Sequence, residues 1–247
     1  MRLQISEIKK VLQILRKKFP NPGAMEIGNP YQNLVAVILS ARTRDEQVLK
    51  LFPRFLNAFP TVNKLAKSTP NRIEGHIRSI GMYRQKARNL HKMVIEVEKR
   101  FKGKIPSTME ELTTLPGVGR KTASVVLVTS FSKSAIAVDT HVYRVANRLG
   151  WVETNTPEKT EKALLKIIPT SLQPIVNRVF VKFGRYICIP NKPRCWACPI
   201  QKYCEYKNKN LVKPKNAEVI LNDIEQREKE LESLRKSACK ICTVGQQ

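Results

Sequence analysis

The chain is predicted to be all-α. Three observations carry that expectation. Apolar residues recur every three or four positions along most of the 247 residues, no segment sustains period-two alternation, and helix-start signatures precede several of the stripes.

Ile8, Val11, Leu12 and Leu15 form the first stripe. Asn29-Pro30-Tyr31-Gln32 reads as an N-cap, a proline at the first helical position and a capping-box glutamine, opening a buried helix through Leu34, Val37 and Ile38. Thr43 with Glu46 offers a second capping box before Val48, Phe52 and Phe55. Ile73, Ile77 and Ile80 run to Gly81, a candidate C-cap. Ala87, Leu90, Val94, Val97 and Phe101 make a longer stripe. Ser107 with Glu110 fits a capping box after Pro106, for a short helix that stops before Pro116. The next helix is expected from about Val118, through Ala123, Val126 and Leu127. Asp139 caps a stripe of Val142, Val145, Ala146 and Leu149 that ends at Gly150. Thr156-Pro157 opens another helix, and Val176, Val179, Phe180 and Phe183 mark one more. Residues 212–247 change character. Lys213-Pro214-Lys215 reads as a linker, and Ile220, Ile224, Leu231 and Leu234 give a sparse, nearly heptad stripe. That spacing among charges suits a solvated or body-docked helix better than a coiled-coil dimer.

Composition is that of a soluble globular protein, with 42% hydrophobic and 26% charged residues, but the charge balance is not ordinary. Forty-five Lys and Arg against 20 Asp and Glu give +25. Residues 212–247 hold seven basic and six acidic side chains, or +1, so +24 falls in residues 1–211. A body so basic attracts polyanions at long range, with an affinity that falls as salt rises. No apolar run approaches the roughly 20 residues that span a bilayer, and Met1 to Lys10 lacks the apolar stretch of a signal peptide. The expected location is intracellular, in the cytosol or with the nucleoid.

Two motifs carry chemistry. In Leu115-Pro116-Gly117-Val118-Gly119-Arg120-Lys121, the glycines allow a tight reversal and close backbone approach to a ligand. The helix that follows offers its unpaired N-terminal amides as a phosphate seat that needs no base contacts. Lys121 sits in that first turn. It can serve as another phosphate clamp. The positive end of the helix dipole also disfavours an ammonium there, and a neutral amine is what attack on a sugar carbon requires. The second motif is Cys188, Cys195, Cys198 and Cys204, separated by six, two and five residues among Lys192, Arg194 and Lys202. Four thiolates so close can enclose a tetrahedral metal or an iron–sulfur site. Disulfides fit less well without a secretory signal.

These residues resemble the endonuclease III family of the helix–hairpin–helix DNA glycosylase superfamily. The resemblance rests on the hairpin through Thr122-Ala123, on Val138-Asp139-Thr140-His141-Val142-Tyr143-Arg144-Val145-Ala146-Asn147-Arg148, and on the cysteine spacing introduced by Gly184-Arg185-Tyr186. Leu39-Ser40-Ala41 and Ile80-Gly81-Met82-Tyr83 match as well, so it spans about residues 5–211. The resemblance implies a four-iron–four-sulfur cluster on the four cysteines. It also implies a six-helix barrel over about residues 22–134 bearing the hairpin, and a cluster domain from residues 1–21 plus 135–211, with 212–247 as an extension. The two domains would flank a cleft for double-stranded DNA, and the protein would act as a monomer.

The implied activity is base excision followed by strand cleavage. A damaged pyrimidine leaves the stack, Lys121 attacks C1′ and forms a Schiff base, and elimination breaks the strand 3′ to the lesion. Asp139 would stabilise charge on the sugar or help deprotonate the lysine. Gly117, Val118, Gly119 and Arg120 would seat phosphate, as would Lys192 and Arg194 unless these two are only surface charges. Met82 stands where the family has a wedge residue, with a core methionine as the alternative. His141 would line the cleft or pack. Two features depart from the family: Arg42 replaces the usual glutamine, beside an added Arg44, and the tail carries Cys239-Lys240-Ile241-Cys242. Arg42 is expected either to contact the orphaned base or to meet phosphate. The tail cysteines are expected to be silent thiols or a minor partner contact.

Two other functions remain open on the sequence. One is a superfamily enzyme for mismatched or deaminated bases. The other is a non-catalytic DNA-binding module holding zinc, which would be colourless where an iron–sulfur protein is brown. RNA binding follows from charge alone, and the hairpin favours DNA over it.

Overall fold

The computed structural model describes residues 4–23 and 25–244, with side chains to residue 240. The elements are α1 (Ile5–Lys18), α2 (Pro30–Ser40), α3 (Asp45–Ala58), α4 (Val62–Ala66), α5 (Pro70–Ile77), α6 (Tyr83–Phe101), α7 (Met109–Thr113), α8 (Arg120–Phe131), α9 (Thr140–Leu149), α10 (Pro157–Ile167), α11 (Gln173–Tyr186) and α12 (Ala217–Val244). Single 3-10 turns lie at Thr170–Leu172, Cys195–Ala197 and Gln201–Tyr203. No strand occurs among the described residues, so the all-α class holds.

The chain divides into two units. One combines residues 1–22 with 133–226, and the other combines 23–132 with 227–247. In the second unit, α2 packs on α8, α3 and α6, and α5 packs on α6 and α3. Asn29 accepts from Gln32 N while Gln32 accepts from Asn29 N, the reciprocal cap its sequence predicts. Phe52, Phe55, Phe59, Leu65 and Ile73 are fully buried, each removing about 1.5–3 kcal/mol of apolar surface from water. In the first unit, α11 packs on α9 and α1, and α9 on α10. Ile8, Leu12 and Leu15 of α1 enter the same core as Val142, Val145, Val176 and Phe180.

The tail is helical. Ile224 joins the first unit's core, and Leu231 and Ala238 are buried in the part of α12 assigned to the other unit. There Arg235 makes a paired contact with Glu232 and donates to Glu26 O. Cys239 is a half-buried free thiol. The side chain of Cys242 lies outside the described residues.

Three local expectations are corrected. Thr43 does not cap α3. Its N-cap is Arg44, with no side-chain bond, because the Thr43 hydroxyl is taken by Lys86. The cap of α7 is Thr108 paired with Glu111, one residue later than Ser107 with Glu110, which brings Leu112 into the core. Gly81 is not a C-cap. α5 ends at Ile77 with Arg78 in right-handed geometry, and Ile80 is buried from the turn beyond.

Candidate active site

The hairpin is the reversal over residues 114–119, between α7 and α8. Gly117 adopts φ +80°, and a Cβ there would stand 2.9 Å from Asn89 Cβ, so both backbone and space demand glycine. Val118 is buried beneath the turn, and its N–H donates to Leu115 O at 3.0 Å. Val118 thus holds the turn together rather than offering a donor to a ligand. Gly119 is the N-cap of α8 and has open space where a side chain would be. Helix α8 starts at Arg120, two residues later than expected. Arg120 and Lys121 occupy its first two positions, both exposed. The amides of a first helical turn lack intrahelical acceptors, so the reversal and α8 together present donors and a primary amine at one surface point.

In the other unit, Asp139 caps α9. Its Oδ1 accepts from His141 N and Val142 N, both at 2.9 Å. Both bonds fall on one oxygen, so Oδ2 is not used by the cap. His141 is half-buried, with Nδ1 at 3.1 Å from Arg144 Nη2 and its Cβ where a Gly184 side chain would intrude. Burial holds the His141 imidazole below the usual histidine range. The Asp139 carboxylate and the Gly184 backbone oppose that shift, while Arg144 and Arg185 add to it.

The cysteines follow α11. Cys188, Cys195, Cys198 and Cys204 line one small, almost wholly apolar cavity with Val145, Leu149 and Phe183. Among the described residues, no three His, Cys, Asp or Glu side chains converge tightly enough to ligate a metal ion as they stand. Two arginines of α9, which the sequence reading did not single out, brace this loop. Arg148 Nη1 lies 3.6 Å from Cys188 Sγ and 2.8 Å from Ile189 O, and Nη2 donates to Pro190 O at 2.7 Å. Arg144 Nε donates to Cys188 O and its Nη2 to Gly184 O, each at 2.9 Å. Burial pushes the Cys198 thiol up to about 12, a hydrogen bond from Ile200 opposes this, and the neighbouring cysteines add to it. Burial likewise raises Cys204. Four thiols in such a place can ionise together only around a cationic centre, and Arg148 adds an N–H directed at sulfur. The donor set fits an iron–sulfur cluster or a four-thiolate metal.

The remaining sequence candidates separate in exposure. Lys192 is exposed at φ +48°. Arg194 is half-buried, with Nη1 donating to Tyr186 O, so it helps fold the loop. Arg42 and Met82 both have left-handed backbones, φ +53° and +59°, and Met82 is 52% exposed. Arg144 and Arg148 left no signal that distinguishes them in so basic a chain, apart from their four-residue spacing on α9.

The model of the HhH-GPD superfamily of base excision DNA repair proteins matches residues 35–170. The endonuclease III of Thermotoga maritima is 42% identical over 81% of this chain and 92% of that protein. The chain belongs to the endonuclease III family. Family membership makes it a base-excision-repair DNA glycosylase. A trapped covalent endonuclease III–DNA intermediate, an estranged-adenine complex, superposes with a TM-score of 0.75 at 39% identity, over 82% of this chain and 96% of that one. A thermostable thymine-DNA glycosylase reaches a TM-score of 0.73 at 26% identity, over 81% and 96%. No helix among the described residues is long and apolar enough to cross a membrane.

Proposed function

We propose that this endonuclease III family member removes oxidised pyrimidines of the thymine glycol type from double-stranded DNA and then nicks 3′ to the abasic site. The observation that carries this reading is Lys121, an exposed amine in the first turn of the hairpin's second helix. The covalently trapped DNA complex of a relative supports it. The Nζ lone pair of Lys121 attacks C1′, and the glycosidic bond breaks with its electron pair leaving on the base, which is protonated. The C1′–O4′ ring bond then breaks, O4′ taking a proton that Nζ gives up, and the C1′–Nζ iminium so formed acidifies C2′. Removal of a C2′ proton expels the 3′ phosphate.

Asp139, with Oδ2 outside the cap, stabilises the positive charge that develops on the sugar or takes a proton from Lys121. Gly117, Gly119 and Arg120 bind phosphate, as does Lys192, while Val118 anchors the turn from beneath. Arg194 contributes by holding that loop. Arg42 and Met82 meet the duplex where the damaged nucleotide leaves it, and His141 positions the start of α9. Cys188, Cys195, Cys198 and Cys204 would hold a four-iron–four-sulfur cluster, which would crosslink their loop. The protein works as a monomer.

Borohydride trapping on a duplex with one thymine glycol tests this, comparing wild type with Lys121→Gln. A covalent adduct with wild type alone, both proteins binding the duplex, is the expected result. No wild-type adduct despite tight binding would overturn the lyase reading. A second reading, excision of mismatched thymine or a deaminated base, draws on the likeness to the thymine-DNA glycosylase and would be read from a mismatch panel.

A further inference from the structure

Lys86 is the most deeply buried lysine near the turns that carry Arg42 and Met82. It lies in the first turn of α6, one turn ahead of Leu90 on the buried stripe, and is 5% exposed. Among the described residues its ammonium meets no carboxylate. Nζ donates to Leu39 O at 2.7 Å and to Thr43 Oγ1 at 2.6 Å. Leu39 O belongs to the last turn of α2, where a cation is favoured by the helix dipole. Desolvation lowers the lysine from its ordinary range to about 8, and the two hydrogen bonds offset that cost of burial.

What the lysine spans is specific. Between its two acceptors the chain reverses through Arg42 at φ +53°, closed by Thr43 N to Ser40 O at 3.0 Å. Its backbone N–H makes the first intrahelical bond of α6, to Met82 O at 3.0 Å, so the side chain is rooted on the turn in which Met82 sits at φ +59°. The two turns adjoin: a side chain on Gly81 would begin 3.7 Å from Arg42 O. Two exposed non-glycine residues thus hold left-handed backbones side by side, each at a strain of about 1 kcal/mol. Such clustered strain persists only where its surroundings enforce it, and the Lys86 side chain reaches from the helix start that follows Met82 to both flanks of the Arg42 turn.

We propose that Lys86 is a positioning residue. It clamps the Arg42 turn to the Met82 turn, so that the two side chains form one edge that enters the duplex as the damaged nucleotide leaves. This rests on the glycosylase–lyase reading above. It predicts a selective defect, because opening a duplex needs that edge and cleaving an abasic site in a single strand does not.

The test is Lys86→Met, which fills the same space without side-chain N–H donors and keeps the backbone bond to Met82 O. Three quantities are measured: single-turnover excision of thymine glycol from a duplex, cleavage of a single-stranded oligonucleotide with one abasic site, and thermal midpoint. Fluorescence of 2-aminopurine opposite the lesion reports unstacking. The duplex rate should fall by about tenfold to a hundredfold, the loss typical of a reacting group misplaced by an ångström. The 2-aminopurine signal should fall with it, while single-strand cleavage stays at the wild-type rate. Thr43→Val, which removes one acceptor from a half-exposed site, should show the same selectivity more weakly and serves if Lys86→Met folds poorly. Equal loss on both substrates, or loss on neither, would overturn the clamp. A wild-type protein that cleaves neither substrate would instead overturn the function on which it rests.

Discussion

Asp139 combines two jobs that a pair of substitutions can separate. Its Oδ1 takes two backbone N–H groups at 2.9 Å, from His141 and Val142. Asp139→Asn keeps a side-chain oxygen in that place and removes only the charge, which at a helix N-terminus stabilises by about 0.3–1 kcal/mol. Asp139→Ala removes the cap as well, and the loss of a cap of this kind is about 1 kcal/mol, or about 2 at the upper end. In a protein of this size 1 kcal/mol shifts the melting midpoint by about 2–4 °C. Asp139→Ala should therefore melt a few degrees below wild type, with Asp139→Asn between them. Catalysis should rank differently. If the carboxylate acts on the sugar or on Lys121, both variants lose about 10²–10⁴ in single-turnover excision, roughly 3–5 kcal/mol of barrier. Differential scanning calorimetry and quenched excision assays on one preparation give both numbers. Near-wild-type cleavage by Asp139→Asn would refute the reasoning and leave Asp139 as a cap alone.

Other expectations follow from the same structure. Arg42→Gln keeps the backbone free of new steric demand, so a change in opposite-base preference would be due to the side chain. Arginine pairs well with guanine edges, and wild type should favour lesions opposite guanine over adenine more than the variant does. Equal rates for both proteins on both duplexes would remove that role. Purified protein should be brown and should lose its visible absorbance in Cys198→Ser. A colourless wild type containing zinc would replace the cluster with a four-thiolate metal.

Local patterns predicted the helices well where one side chain had one available partner. Asn29 and Gln32 face only each other and the backbone, and their capping box forms as read. Thr43 carried the same signature and failed because a lysine 43 residues away takes its hydroxyl. No local pattern contains that information. Ser107 and Thr108 offered two capping boxes in adjacent registers, and burial of Leu112 selected the second. Asp139 and the positions of Gly117 and Lys121 were legible because each depends on a helix start, which is written in a few consecutive residues. The braces Arg144 and Arg148 were not, since their acceptors are backbone carbonyls 40 to 44 residues further along. Lys86 was legible in principle, as a cation standing on an apolar stripe.

The order of segments also bears on how the protein is made. Helix α1 belongs with residues 133–226, yet 110 residues of the other unit, 23–132, are synthesised in between. At ribosomal rates of about 5–20 residues per second, Ile8, Leu12 and Leu15 wait roughly 5–20 seconds before any of their partners exist. During that interval an amphipathic helix with a bare apolar face trails a nascent chain, open to chaperones or to a neighbouring copy. Residues 227–244, among the last to emerge, belong to the unit that had most of its sequence first. Neither unit is complete until residues beyond 220 have left the ribosome.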